Sequence, residues 1–311
     1  LMAISVFMTG KAPYRNVLVN DLILDKDGKK MSKSRGNTVN PFQMFDQYGA
    51  DTLRFYLLYV SPPWQPTKFD EEGLREVESK FFRSIRNISL YANTDGINPR
   101  EFFVPIKERP EIDRWILSKY HHLIEQIEED MKTYELSKIA RNISDFVIED
   151  FSNWYIRRNR RRFWAEKIDE DKKAVYNTTY ELLVGLSKLI APMTPFIAEE
   201  LYQNLVGGES VHLETYPEVD EACFENALEE KMSLVQQIVT LGRAAREKAQ
   251  IKVRQALQNI VIDGKYEEII GDLTDLIMEE LNLKEVLFKK DLSDFMNYSL
   301  KPNFPVAGPV L

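Results

Sequence analysis

Residues Ile143 to Trp164 read ISDFVIEDFSNWYIRRNRRRFW, and their spacing decides the fold class. Ile143, Val147, Phe151 and Trp154 recur at three- and four-residue steps, which puts them on one face of an α-helix. The second half carries five arginines and no acid between Ser152 and Trp164. At helical spacing Arg157, Arg158, Arg161 and Arg162 fall near one another, so the helix is buried on one side and cationic elsewhere. A guanidinium presents a rigid fork of donors that matches phosphate oxygens, so such a face suits contacts to a nucleic-acid backbone. Pairing with acids on a neighbouring helix is the competing use of the same arginines. The aromatic residues are expected in the core.

The same period extends outward, in runs of roughly 70–92, 110–131, 135–165, 169–191 and 195–206. Each is longer than a typical strand, and together they predict a helical bundle. Asp70 before Glu71 and Glu72 is a cap followed by acids that oppose the helix dipole. Pro192 and Pro195 end one helix and open the next. Upstream, Ser61 to Pro66 is a proline-rich linker. Asn40-Pro41 starts a helix, with a break near Gly49. Tyr14 to Asp21 is short and β-branched, the pattern resumes at Leu22 to Leu24, and Asp27-Gly28 makes a turn, so a strand is expected there. Beyond Gly207-Gly208, residues 209–225 are irregular and 226–250 are helical. Asn259 to Asp263, Tyr266 to Asn282 and Val286 to Lys289 then read strand, helix, strand, a small α/β domain.

Composition narrows the function classes. The 311 residues are 44% hydrophobic and 29% charged, an ordinary globular chain of two or three domains. Lys and Arg number 41 against 49 Asp and Glu, a net charge of −8, so any polyanion-binding surface is local. A single cysteine, Cys223, excludes an internal disulfide and a cysteine-rich zinc site, and His121, His122 and His212 lack metal-ligand spacing; no metal is expected. Lys188, Pro192 and Pro195 interrupt the longest apolar stretch, well short of the ~20 residues of a membrane span. No signal peptide is legible, and the chain opens on Leu1 inside an apolar run, which reads as a cut. A cytoplasmic, monomeric protein is expected.

The sharpest chemical signal is Lys30-Met31-Ser32-Lys33-Ser34, continued by Arg35-Gly36-Asn37, directly after the strand and turn. A Lys/Ser tract alone is ordinarily a solvated loop. Here both flanks are distinctive: Leu24-Asp25-Lys26-Asp27-Gly28 before it, and Tyr48-Gly49-Ala50-Asp51-Thr52-Leu53-Arg54 after it. Gly10-Lys11 lacks the glycine spacing of a P-loop, and Ile23 stands where a calcium loop over Asp25 and Asp27 needs its first carboxylate. The tract resembles, without mismatch, the KMSKS signature of class I aminoacyl-tRNA synthetases. Those enzymes activate an amino acid by attack of its carboxylate on the α-phosphate of ATP, with loss of pyrophosphate. The resemblance implies that Lys33 contacts ATP and that Lys30 supports the phosphates or the loop, with Ser32 and Ser34 as lesser ATP-binding partners. It also implies ATP with magnesium as substrate.

In the Ile, Val, Leu and Met group of that family, a helical bundle after the KMSKS loop binds the tRNA anticodon stem and loop, and the order of elements here is the same. The resemblance therefore implies tRNA contacts by Arg157, Arg158, Arg161 and Arg162. In the first bundle helix, Arg83, Arg86 and Asn87 resemble the place where the methionine enzymes put base-reading side chains. Asp113 to Ser118, Asn153 to Trp164, Ala191 to Phe196 and Arg243 to Gln255 together resemble isoleucyl-tRNA synthetases, which join isoleucine to tRNA(Ile), more than the valyl or leucyl enzymes. With Cys223 alone, the chain resembles the branch ending in a zinc-free α/β extension.

The expected architecture is mainly α. Residues 1–60 would be the end of the Rossmann catalytic domain, a short α/β remnant with the KMSKS loop; 61–208 a helical anticodon-binding domain; and 209–311 a helix plus a small α/β domain. No histidine stands in a HIGH-type arrangement and no segment is long enough for an editing domain. The chain alone is thus expected to bind tRNA without making adenylate or editing. A valyl enzyme and a noncatalytic RNA-binding module of synthetase origin are the alternatives.

Overall fold

Prolines and caps set the helix boundaries of the chain, which a computed structural model describes over residues 1–91 and 96–293. Two units are distinguished, Leu1–Glu225 and Asn226–Leu311. The first contains α1 (Met2–Thr9), β1 (Ile23–Leu24), α2 (Pro41–Tyr48), α3 (Ala50–Val60), β2 (Thr67–Lys68), α4 (Glu71–Val77), α5 (Arg83–Tyr91), α6 (Glu111–Lys132), α7 (Leu136–Asp145), α8 (Arg157–Phe163), α9 (Glu170–Ile190) and α10 (Pro195–Leu205). Asn40 caps α2 through Phe42 N–H, Asp70 caps α4 through Glu72 N–H, and Asp169 caps α9 through Lys172 N–H. Each satisfies a donor that the first helical turn leaves open. Gly49, at φ 84°, separates α2 from α3. The mainly helical fold class expected from the periodicity is the one found.

Two features depart from simple periodicity. Glu78–Phe82, between α4 and α5, and Phe146–Ile156, between α7 and α8, are π-helical, so each rod is continuous but locally wider. The wider turn lets Trp154, Tyr155 and Ile156 all be buried in succession, together with the expected stripe of Ile143, Val147 and Phe151. Phe55, Phe81, Phe82 and Phe151 are almost fully enclosed, with Phe55 and Phe81 stacked at 4.2 Å between ring centroids. Burial of such side chains contributes about 1.5–3 kcal/mol each.

The strand expected over Tyr14 to Asp21 does not form. Those residues are exposed, and a strand needs a partner for its N–H and C=O groups. Asp21 N–H reaches Pro63 O (2.8 Å), and the ladder forms where Ile23 and Leu24 pair in parallel with Thr67 and Lys68, just past the proline-rich linker. Helix α1 buries none of its side chains among the described residues.

Helix α3, which follows the lysine loop, is tied to the bundle at both ends. Asp51 accepts the Ile197 N–H at the start of α10 (2.7 Å), and Arg54 donates to Met193 O (3.1 Å) and Pro192 O (3.3 Å) after α9. Arg141 of α7 donates to the terminal carbonyls of α3, Tyr59 O (2.9 Å) and Val60 O (2.7 Å). These contacts satisfy helix-end groups that otherwise lack partners.

In the second unit α11 (Asn226–Lys248) precedes β3 (Leu257–Asp263), α12 (Glu267–Ile270), α13 (Thr274–Leu281) and β4 (Leu283–Lys289). β3 and β4 are parallel, in register from Leu257 opposite Leu283 to Asp263 opposite Lys289, and the helices between them make the crossover that parallel pairing requires. Buried Arg246 donates to Lys252 O (3.1 Å), Gln255 O (3.0 Å) and Leu281 O (2.5 Å), which fastens the loop before β3 to the end of α13. Among the described residues no helix is long and apolar enough to cross a membrane.

Candidate functional site

Two groups of side chains stand out in the first unit. The first is the loop between β1 and α2. Asp25 closes the turn before it: its Oδ1 accepts the N–H groups of Asp27 (3.1 Å) and Lys29 (2.7 Å), and Gly28 takes the φ of 81° that the turn requires. Leu24 then bridges antiparallel to Lys30. Asn37 braces the far side, accepting Ser32 N–H (2.9 Å) while its amide donates to Asp25 Oδ2 (2.7 Å) and Lys30 O (3.3 Å). Chiefly the Asn37 amide, and next the Lys29 N–H, hold the Asp25 carboxyl below its ordinary pKa. Between these braces Lys33–Arg35 form a single 3-10 turn ended by Gly36 at φ 65°. Lys30, Lys33 and Ser34 are exposed, Ser32 is half-buried, and the two serine hydroxyls lie 3.2 Å apart. The loop thus offers two solvated ammonium groups and two hydroxyls on a braced base, which can meet an anion of several oxygens.

The second group lies where α5 and α8 end. Tyr91, the last residue of α5, packs on Phe163 (5.1 Å between centroids) and near Trp164 (6.5 Å, planes 30° apart). Asn87, Arg86 and Arg83 precede Tyr91 by four to eight residues, which is about 6–12 Å along a helix. Tyr91 thus joins the end of α5 to the end of α8. Arg83 and Arg86 share Glu78 at 4.0 and 3.2 Å but stay largely exposed, as does Asn87. Arg86 also borders a cleft of 580 Å³ whose wall includes Asn98, Tyr180, Glu200 and Asn204.

The arginines of α8 divide by environment. Arg162 turns inward, donating to Asp113 Oδ1 (2.8 Å) and Oδ2 (2.7 Å), to Asn159 Oδ1 (3.0 Å) and to Asp171 O (2.9 Å). Burial by itself would lower its pKa, but the bonds and charge of Asp113 outweigh that and the net displacement is upward. Tyr155 donates to the same Asp113 Oδ1 at 2.6 Å, and burial, then the Asp113 charge, push its hydroxyl well above the ordinary tyrosine range. Arg162 is thus a core group, its guanidinium occupied by the neighbouring helices.

Arg157 donates to Asn153 O (2.7 Å) and Arg158 lies 5.7 Å from the Trp154 ring; both are half-buried. Arg161 is exposed, as is Arg160, which spacing alone did not single out. Trp164 also departs from the expectation of buried aromatics: Trp154 and Phe163 are in the core, but Trp164 is 60% exposed. It follows Arg160 by four residues and Arg161 by three, so all three share a face. Its position at the C-cap of α8, past the last buried residue, is the signal that marks it.

Comparison with known proteins places these features in context. Residues 113–261 match the family described as anticodon-binding domain of tRNA ligase, and residues 1–70 match tRNA synthetases class I (I, L, M and V). Curated relatives include isoleucine–tRNA ligases of Porphyromonas gingivalis and Clostridium novyi, each 43% identical over 99% of this chain. The isoleucine–tRNA ligase of Bacillus thuringiensis is 41% identical over the same share. The chain spans only 28% and 30% of the length of the first two. Among solved structures, the LeuRS of Agrobacterium radiobacter K84, in a ternary complex with tRNA and LeuAMS, matches 72% of this chain and 27% of its own. The TM-score is 0.54 at 20% identity, a likeness of fold.

Proposed function

From the premise that this chain is homologous along almost its whole length to a segment of class I isoleucine–tRNA ligases, we propose that it supplies the ATP-phosphate loop and the tRNA-binding bundle of such a ligase. The complete enzyme joins isoleucine to tRNA(Ile) through an aminoacyl-adenylate. The isoleucine carboxylate attacks the α-phosphorus of magnesium-bound ATP and pyrophosphate leaves. Negative charge grows on the phosphate oxygens along that path. Lys33 and Lys30 stabilise it, with Ser32 and Ser34 as hydrogen-bond donors. The observation that carries this reading is the braced loop that leaves both lysines exposed.

On the bundle, Arg157, Arg158 and Arg161, joined by Arg160, meet the phosphates of the anticodon stem and loop. Arg83, Arg86 and Asn87 face unpaired bases, and Trp164 offers them an aromatic surface; unpaired bases are read by stacking and by bonds to their exposed edges. Arg162, occupied by Asp113 and Asp171, serves the fold that presents them. In functional terms residues 1–60 end the catalytic domain, 61–208 bind the anticodon arm and 209–311 are a C-terminal extension, a helix plus a small α/β domain. The enzyme works as a cytoplasmic monomer.

The test is binding of the chain to tRNA transcripts with isoleucine, valine and methionine anticodons at two salt concentrations. Preferential binding to the isoleucine transcript that weakens as salt rises is expected, because phosphate contacts release counterions. Equal binding to all three removes the anticodon reading from this chain, and absence of binding at low salt makes the arginines structural.

A further inference from the structure

We infer that Asp25 and Asn37 form a latch that positions the lysine loop for phosphate chemistry, with Asn37 acting as a positioning residue. The inference rests on the reading of Lys30 and Lys33 as phosphate ligands. Asn37 uses both halves of its amide. The oxygen accepts Ser32 N–H (2.9 Å), and the nitrogen donates to Asp25 Oδ2 (2.7 Å) and Lys30 O (3.3 Å). The other Asp25 oxygen is occupied by the main chain of the preceding turn, at Asp27 N (3.1 Å) and Lys29 N (2.7 Å).

One side-chain pair therefore joins three stretches of main chain: the turn, the residues on either side of Met31, and the exit at Asn37. What remains outside the brace is the short turn from Lys33 to Gly36. Lys30 and Lys33 leave from opposite sides of Ser32, whose N–H is held, so their ammonium groups extend from a fixed base.

The chemistry of the pair is specific. Residue 37 must donate toward a carboxylate and accept from an N–H at once, which an amide does and a carboxylate does not. Aspartate at 37 would set two negative groups face to face. Alanine would leave Ser32 N–H and Lys30 O without their partner. Neither change removes a lysine. Both release the base from which the lysines reach, so the loop must be ordered during each catalytic cycle and the benefit of a preformed electrostatic site is lost.

The experiment is isoleucine-dependent ATP–pyrophosphate exchange by the complete ligase. Asp25→Asn and Asn37→Asp singly should each lower kcat about 10- to 100-fold, the range for a lost hydrogen bond to a charged group, with KM for isoleucine unchanged. The combined Asp25→Asn/Asn37→Asp exchange should recover to within a few-fold of the parent. The amide and carboxylate then trade places: residue 25 donates to residue 37 and still accepts Asp27 N–H and Lys29 N–H, residue 37 still accepts Ser32 N–H, and the long 3.3 Å bond to Lys30 O is the one given up, which keeps recovery within a few-fold of the parent and short of complete. Recovery by the exchange cannot come from a protein that misfolds.

Lys33→Ala is measured beside them. A loss with Lys33→Ala but none with the single latch variants overturns the latch and keeps the loop reading. No loss with Lys33→Ala overturns both. Single losses that the exchange does not repair also overturn the latch.

Discussion

Removing the Asp113 carboxylate tests whether Arg162 is a structural arginine. Asp113 is fully buried and the Arg162 side chain is 15% exposed. Asp113→Ala would strip the guanidinium of two bonds, at 2.8 and 2.7 Å, and deprive the Tyr155 hydroxyl of its 2.6 Å acceptor. Breaking a buried ion pair from one side destabilises by about 3–5 kcal/mol. Arg162 keeps Asp171 at 2.9 Å and the Asn159 carbonyl at 3.0 Å, so the lower part of that range applies, about 3–4 kcal/mol. For a unit the size of Leu1–Glu225, a lowering of Tm by about 6–16 °C follows.

The assay is thermal and urea unfolding of the chain, with Arg162→Met and the combined Asp113→Ala/Arg162→Met completing a double-mutant cycle. Replacing both charges with apolar groups removes the unpaired charge left by either single change, so the combined variant should be clearly more stable than the sum of the singles. At a temperature where it is folded, Arg162→Met should bind tRNA as the parent does. Losses below about 1 kcal/mol, additive singles, or a tRNA-binding defect in folded Arg162→Met would refute the assignment.

The exposed arginines should behave in the opposite way. Arg160→Ala and Arg161→Ala should leave unfolding unchanged while each flattens the dependence of log affinity on log salt by about 0.7–0.9, one phosphate contact apiece. Trp164→Ala should weaken binding to an anticodon-loop RNA by about 1–3 kcal/mol without altering the salt slope, as loss of a stacking surface requires. In the complete ligase, Lys33→Ala should cost about 3 kcal/mol of transition-state stabilisation in ATP–pyrophosphate exchange. Burial raises the pKa of Asp51 above its ordinary value, outweighing the bonds from Ile197 and Phe196 N–H. Its contribution is therefore fully present below the unfolded carboxylate pKa and declines as pH rises through the folded one. Asp51→Asn should be progressively better tolerated across that rise, a trend urea unfolding at stepped pH would detect.

What sequence reveals and conceals here follows from the range of each interaction. Helix starts at Asn40, Asp70 and Pro195 were legible because a cap or a proline acts on the turn immediately after it. The expected strand over Tyr14 to Asp21 failed because pairing depends on a distant partner, and Thr67-Lys68 pairs in register with Ile23 and Leu24. The same limit governs the candidate site. Spacing correctly places Arg157, Arg158, Arg161 and Arg162 on one helical rod, but it cannot see that Asp113, 49 residues earlier, waits opposite Arg162.

The π-helical stretch before α8 compounds this, since a widened turn changes the direction in which every later side chain leaves the rod. Trp164 was hidden for a related reason: an aromatic directly after Phe163 reads as core, and only its place beyond Phe163 at the helix terminus leaves it in solvent. The loop is the contrasting case. Asp25, Lys30, Ser32 and Asn37 lie within 13 consecutive residues, and every brace between them is local. A motif whose geometry is closed by its own neighbours can be recognised from sequence without the rest of the fold, whereas the arginines of a bundle acquire their roles only from the helices packed against them.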